Sequence, residues 1–414
     1  PRIPYWVPQD LWSGLQFDDM QESARKWLPI IKEKEKADII IGLFHSGEKP
    51  KSGNVKFEEN ASFLIARDIP GFDIILLGHD HNALCRTITN KNGEKVLLLN
   101  PGSQGLNIAR AEIIIEKKRN TLISKSISGA LVNTSNCDID SAFMAQFITA
   151  YDTIQKFSNS PVGTLTQTIS TRDSYFGPSA FCDFINQLQL KISGADISFT
   201  APLFFDTEIK AGKIFLRDMF KLYKYENRLH TILLTGKEIK GYLEHSYSLW
   251  TNQMQSPEDD LLLFDNQYTG INKKLLYNSY NFDSAMGIKY TVDVTKPYGN
   301  KINIISMSDG SSFDLDKTYK VAINSYRANG DDGMLIKGAG ISKEKIKDRI
   351  VKTSDNDLRF DIMQYIHQKG TIAPECKNEW KFIPEEWVAP AIERNRNDLF
   401  GNLSITNRPS INVH

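Results

Sequence analysis

No stretch of this 414-residue chain stays apolar long enough to cross a bilayer, so nothing in it reads as membrane-spanning. An excess of one charge is also missing. Lys+Arg and Asp+Glu are both 50, which removes the electrostatic case for a nucleic-acid polymer as partner. The four cysteines, Cys85, Cys137, Cys182 and Cys376, are far apart and form no Cys-x-x-Cys pair. That argues against a thiolate zinc cluster and leaves the redox compartment open. There is no internal repeat and no low-complexity tract. No signal peptide is visible, but the chain opens on Pro1-Arg2-Ile3-Pro4 without a starting methionine, so this absence carries no weight. Histidine is scarce as well, with seven in all.

What is present is a composition with 41% hydrophobic residues, spread over a length that favours two domains. Asp18 can cap a helix with apolar positions at Met20, Ala24, Trp27, Leu28 and Ile31, which Pro29 would kink or stop. An apolar strand over 37–44, a helix from about Glu58 to Arg67 and a second strand over 73–77 read as a layered α/β unit. Val96–Leu99 and Ala109–Glu116 add strands, and Lys117–Asn136 reads as a polar connection. A helix from about Asp138 to Phe157 ends in the turn residues Ser158-Asn159-Ser160-Pro161. The expected division is therefore residues 1–136, a linker helix over 137–160 and a second domain over 161–414. That second domain reads as α+β, with a helix over Ser179–Lys191 and strands such as Ile288–Val294 and Tyr319–Ile323. The Pro-, Asn- and Arg-rich tail from Ile383 is expected to wrap the surface or fray.

Three of the seven histidines stand at strand exits. The first strand ends in His45-Ser46-Gly47 and the second in Gly78-His79-Asp80-His81. Glycine at the exit would let the backbone turn tightly, and alternate positions would send His79 and His81 to one side. Imidazole is the commonest metal ligand, and a lone histidine at a strand end is usually structural. The joint pattern is much more specific, and it points to metal ligation by His45, His79 and His81. Asp80 reads as support for an imidazole or as a solvent-facing residue rather than as a ligand. A two-metal site also needs carboxylates, and no Asp-x-His or Asn-His-Glu run occurs anywhere in the chain.

With the motif Asn100-Pro101-Gly102-Ser103-Gln104-Gly105 added, the first half resembles the bacterial 5′-nucleotidases and the 2′,3′-cyclic-nucleotide 2′-phosphodiesterase/3′-nucleotidases. The second half carries the same resemblance in Leu222-Tyr223-Lys224-Tyr225-Glu226-Asn227, Thr235-Gly236-Lys237-Glu238, Tyr280-Asn281-Phe282-Asp283 and the run from Asn324 to Gly333. The Tyr-Asn-Phe-Asp and Asn-x-Tyr-Arg-Ala forms look more like the cyclic-phosphodiesterase branch. The resemblance implies part of a four-layered calcineurin-like metallophosphatase domain followed by a nucleotide-recognition domain.

It also implies two divalent metals, of zinc, manganese, cobalt or magnesium type, with His45 and His79 on one and His81 reaching the other. The family's remaining ligands and its catalytic histidine sit in motifs upstream of Pro1, so the chain is expected to be a fragment lacking roughly 150–200 residues, a domain-sized block. On the nucleotide side, Tyr225 and Tyr326 match the two rings that sandwich the base. Asn227 and Asp332 match the polar residues around base and ribose, Phe282 is divided between core and pocket, and Arg172 is a weak match to a phosphate-binding arginine. The family's Gly-Gly-x-Arg-like segment reads Ala201-Pro202-Leu203-Phe204-Phe205-Asp206 here, without the arginine. The implied partner is a nucleotide or nucleoside, and the implied location is periplasmic or otherwise extracytoplasmic in a bacterium. Two rival expectations are a nucleotide-binding module without catalysis and a metal hydrolase of non-nucleotide esters.

Overall fold

The computed structural model describes residues 3, 12–49, 56–268, 270 and 272–401, and the chain divides into two units, Pro1–Gln146 and Phe147–His414. In the first unit, α1 (Met20–Glu35) is capped by Asp19, not Asp18: the Asp19 carboxylate accepts from the amides of Gln21 and Glu22. Pro29 lies inside α1 without ending it, and Trp27 faces outward while Ala24 and Leu28 are buried.

The strands β1 (Ile41–Leu43) and β2 (Ile74–Leu76) are shorter than their apolar runs and pair in parallel. Next come β3 (Ala83–Thr89) and β4 (Lys95–Pro101), giving the sheet order β1-β2-β4-β3. The central strands are buried on both faces, as parallel strands between two layers must be. On one face Ile75, Leu77, Val96 and Leu98 pack with Ala24 and Leu28 of α1 and with Ile65 and Ala66 of α2 (Ser62–Asp68). On the other, Ile74, Leu97 and Leu99 meet Ala109, Ala111, Ile113 and Ile127 of a hairpin, β5 (Asn107–Lys118) and β6 (Thr121–Asn133). Each fully buried Leu or Ile contributes about 1.5–3 kcal/mol, so this alternation fixes the register. β6 occupies the segment read as a polar connection. Its Ser- and Lys-rich positions alternate with the inward Ile127, which conceals the strand in composition.

Helix α3 (Ser141–Ser158) contains the division between the units, and none of its residues is buried. Among the described residues no helix is long and apolar enough to cross a membrane.

The second unit is built on a five-stranded sheet ordered Ser284–Met286, Ile197–Thr200, Thr318–Asn324, Arg228–Thr235, Ile350–Asp357. A second sheet joins Ile302–Met307, Ile288–Asp293 and Trp380–Ile383. Between them lies an aromatic core in which Trp250 stacks on Tyr247 at 4.8 Å and on Phe282 at 5.4 Å. Ser179 caps the helix Ala180–Ser193 where a helix was expected. The expected tail is instead ordered through its first part, as the helix Glu385–Phe400. Residues 402–414 fall outside the described residues.

Candidate functional site

In the first unit the parallel pairing of β1 with β2 sets two strand exits side by side. The Phe44 amide donates to Leu76 O (2.9 Å) and the Gly78 amide to Ser46 O (3.2 Å). His45 and His79 are thereby brought together, with His79 Nδ1 3.4 Å from His45 Nε2 and ring centroids 5.2 Å apart. Partial desolvation, then the charges of His79 and His81, hold the His45 imidazole below its ordinary pKa. His81 is exposed, and its charge reaches His45. The tight turn is not made by Gly78. The positive backbone angles fall on His79 (φ 74°) and His81 (φ 60°), which is costly for residues with a Cβ.

Asp80 neither supports an imidazole nor faces solvent. Its carboxylate accepts from the Glu48 amide (2.9 Å), the Asn100 side-chain amide (2.7 Å) and the Asn82 amide (3.2 Å). It therefore bolts the β1 exit to the β2 exit and to the end of β4, which explains the Asn100-Pro101-Gly102 motif.

A residue missed by sequence reading completes the cluster. Glu59 Oε1 lies 2.9 Å from His79 Nε2. It reaches there because 59–62 is clipped onto the β1 exit rather than coiled into the helix expected from Glu58. The buried Ser46 hydroxyl donates to Glu59 O (2.7 Å) and accepts from the Ala61 amide (2.8 Å). The Ser62 hydroxyl donates to Ser46 O (2.9 Å), and Asn60 Oδ1 accepts from the Gly47 amide (3.1 Å). Gly47 must lack a side chain, since a Cβ there would stand 2.3 Å from Asn60 Oδ1.

Do these residues suit a metal? Two imidazole nitrogens on one tetrahedral zinc-like cation, each at about 2.0–2.1 Å, stand roughly 3.3–3.4 Å apart. His45 Nε2 and His79 Nδ1 match that edge, so they fit a cation as two of its ligands. Among the described residues no group of three or more His, Cys, Asp or Glu is arranged to hold one. The described residues thus offer two such nitrogens, with His81 outside the pair.

In the second unit, the antiparallel register that sets Leu229 opposite Asn324 brings two distant motifs to one sheet end. Asn227 is spent on joining them: its Oδ1 accepts from the Ser325 hydroxyl (3.3 Å) and its Nδ2 lies 3.5 Å from the Tyr223 hydroxyl. Tyr225 is 37% exposed, and partial burial, then the charges of Tyr280 and Asp332, raise its pKa. Tyr326 is half-buried, and burial, then the charge and hydrogen bond of Asp332, raise its phenol too. Tyr225, Tyr326, Tyr280 and Asp332 thus share one neighbourhood.

What holds this neighbourhood is Arg327, buried in a bidentate pair with Asp283 whose shorter bond is 2.8 Å. Its Nη1 donates to Asp332 Oδ2 (3.0 Å), and Nη2, already on Asp283, also donates to Tyr280 O. Tyr242 donates to the same Asp283 (2.5 Å). Asp332 itself has φ 57° and offers its carbonyl to His245 Nε2 at 3.1 Å. Arg327 stands within the run from Asn324 to Gly333, but nothing local in the sequence distinguishes its role from that of its neighbours.

Two further residues of the expected set have their side chains engaged within the protein. Phe282 is 1% exposed, with its face on Trp250 and its edge towards Tyr175 (6.2 Å), so it belongs to the core. Arg172 has its guanidinium fork on Asp206, at 2.7 and 3.0 Å, and its face on Phe400. Asp206 ends the segment that lacks the expected arginine, so this region presents a neutralised pair rather than a free cation.

Residues 161–337 match the family model described as the 5′-nucleotidase, C-terminal domain. This chain carries a 5′-nucleotidase C-terminal domain. Both tyrosines, Arg327 and Asp332 lie inside that domain. The chain is similar over 431 residues, at 27% identity, to the trifunctional nucleotide phosphoesterase protein of Bacillus subtilis, covering 93% of this chain and 28% of the relative. It is 24% identical over 444 residues to a 2′,3′-cyclic-nucleotide 2′-phosphodiesterase/3′-nucleotidase of Haemophilus influenzae, covering 93% of this chain and 63% of that one. The chain thus spans less than two thirds of the length of these relatives. A solved structure assigned as a 5′-nucleotidase of Staphylococcus aureus aligns with TM-score 0.68 at 21% identity, over 92% of this chain and 70% of that one. The 5′-nucleotidase precursor of Thermus thermophilus aligns with TM-score 0.53 at 18% identity, over 89% and 68%. The fold is the expected one: a mixed α/β unit, followed by the α+β 5′-nucleotidase C-terminal domain.

Proposed function

We propose that the protein to which this chain belongs hydrolyses phosphoesters of nucleotides, as nucleoside monophosphates, 2′,3′-cyclic nucleotides or both. The observation that carries this reading is the shared neighbourhood of Tyr225, Tyr326 and Asp332 within the 5′-nucleotidase C-terminal domain. Two half-exposed rings offer flat apolar surface to a base, worth about 1–3 kcal/mol of stacking per base. A carboxylate fixed by Arg327 can accept from two hydroxyls of a ribose. In the first unit, His45, His79 and His81 are the proposed metal ligands. A bound divalent cation supplies Lewis acidity toward the phosphate and a water made nucleophilic near neutral pH. The chain's own contribution is to hold the two strand exits that carry the imidazoles side by side, through the backbone clip at Ser46 and the bolt at Asp80. Tyr326→Ala should raise KM for nucleotides at least tenfold while leaving KM for p-nitrophenyl phosphate within about twofold. An equal rise for both substrates would remove the base-stacking assignment.

The absence of a three-ligand metal cluster among the described residues favours a second reading, a nucleotide-binding module without turnover of its own. Phosphatase turnover by the purified 414-residue chain with added manganese or zinc would exclude it. A hydrolase of non-nucleotide esters would instead show no adenosine-induced thermal shift.

A further inference from the structure

The metal reading leaves open how a single imidazole is made to offer one particular nitrogen. His79 is approached on both sides. Its Nδ1 faces His45 Nε2 at 3.4 Å, and its Nε2 faces Glu59 Oε1 at 2.9 Å. A neutral imidazole carries its proton on one nitrogen, and a carboxylate at hydrogen-bond distance selects the nitrogen it faces. From this geometry we infer that Glu59 is the positioning residue of His79, holding the proton on Nε2 so that the Nδ1 lone pair is presented beside His45. The inference rests on the metal-ligand reading for its use, though not for the tautomer itself.

Three features make the placement of Glu59 more than a chance surface contact. Its side chain is 15% exposed, so water competes weakly for the carboxylate. Its main chain is fastened from the opposite strand exit, by the Ser46 hydroxyl on Glu59 O and by the Ser46 contacts to Ala61 and Ser62. Finally, His79 adopts φ 74°, so its ring direction is dictated by a backbone that needs external support. Loop, clip and carboxylate therefore fix the ring before any cation arrives. Outer partners of this kind change metal affinity by about 10–100-fold.

The test uses the whole 414-residue chain in wild-type, Glu59→Gln and Glu59→Ala forms. Long-range 15N–1H correlation of metal-free protein should show the His79 Nε2–H tautomer in the wild type and a mixture in Glu59→Ala. Zn2+ titration followed by the same spectra should move the Nδ1 resonance. Competition with a chromophoric chelator should give Zn2+ binding at least tenfold weaker for Glu59→Ala, with Glu59→Gln between the two. A wild-type Nδ1–H tautomer, or Zn2+ shifting Nε2 instead, would overturn the inference by making Glu59 a bystander or a ligand. Failure of the wild type to bind Zn2+ would remove the metal reading, while the metal-free tautomer would still decide the role of Glu59. Circular dichroism of Glu59→Gln guards against misfolding, since the amide keeps an acceptor in the same place.

Discussion

The two candidate sites are held by opposite means. In the first unit the functional side chains sit on loop backbone, and the fastening is main-chain hydrogen bonding through Ser46, Asn60 and Asp80. In the second unit they hang from a buried ion pair, Arg327 with Asp283, whose side chains are 3% and 4% exposed. A loop-held site can change its side chains at little cost to the fold. A core-held site cannot, because its positioning groups are also part of the interior.

The sharpest way to break this contrast is Arg327→Ala. It leaves Asp283 charged and buried beside Tyr242, so the second unit should lose about 3–5 kcal/mol, measured by denaturant unfolding. A loss below 1 kcal/mol would mean that the clamp is not anchored in the core. Asp183 probes the converse, a buried carboxylate without a cation of its own. Its carboxylate accepts from the Lys377 amide, while the Lys377 ammonium pairs with Glu375. Burial raises Asp183 from 3.8 to about 6. A carboxylate raised on folding favours the folded state below its unfolded pKa, and that contribution is lost as pH rises through the folded value. Stability from this group should therefore fall between about pH 4 and 6, and Asp183→Asn should add about 3 kcal/mol at pH 8 and almost nothing at pH 3.5. Thermal melts at both pH values check the sign.

Effects in the loop-held site should be smaller. Ser46→Ala removes two hydrogen bonds of the clip and should cost about 1–2 kcal/mol, with an accompanying loss of Zn2+ affinity. His45→Ala, at an exposed position, should change stability by less than about 0.5 kcal/mol while abolishing the imidazole pair. If His45→Ala destabilised more than Ser46→Ala, the loops would depend on their side chains and the contrast would collapse.

How much of this was legible in the sequence follows the same division. The apolar runs around Ile74 and Leu98 announced their strands, because burial on both faces leaves continuous hydrophobicity. The placement of His45 and His79 was legible because strand exits are local features. Glu59 was not, since the clip from Ser46 competes with helix formation across a loop and leaves no mark in local propensity. The partners of Phe282 and Arg172 were not legible for a related reason. Motif position says that a residue is near the pocket, but the partner that claims its face, Trp250 or Asp206, is fixed only by tertiary packing. Pairing of Leu229 with Asn324 is equally non-local, yet the motifs on either side of it were visible.

The left-handed backbone at His79 and His81 has a consequence for how this sequence could drift. Glycine or asparagine would relieve strain of about 1 kcal/mol at each position. Histidine at both positions therefore charges the fold that strain twice, and a glycine at either one should return it as added stability.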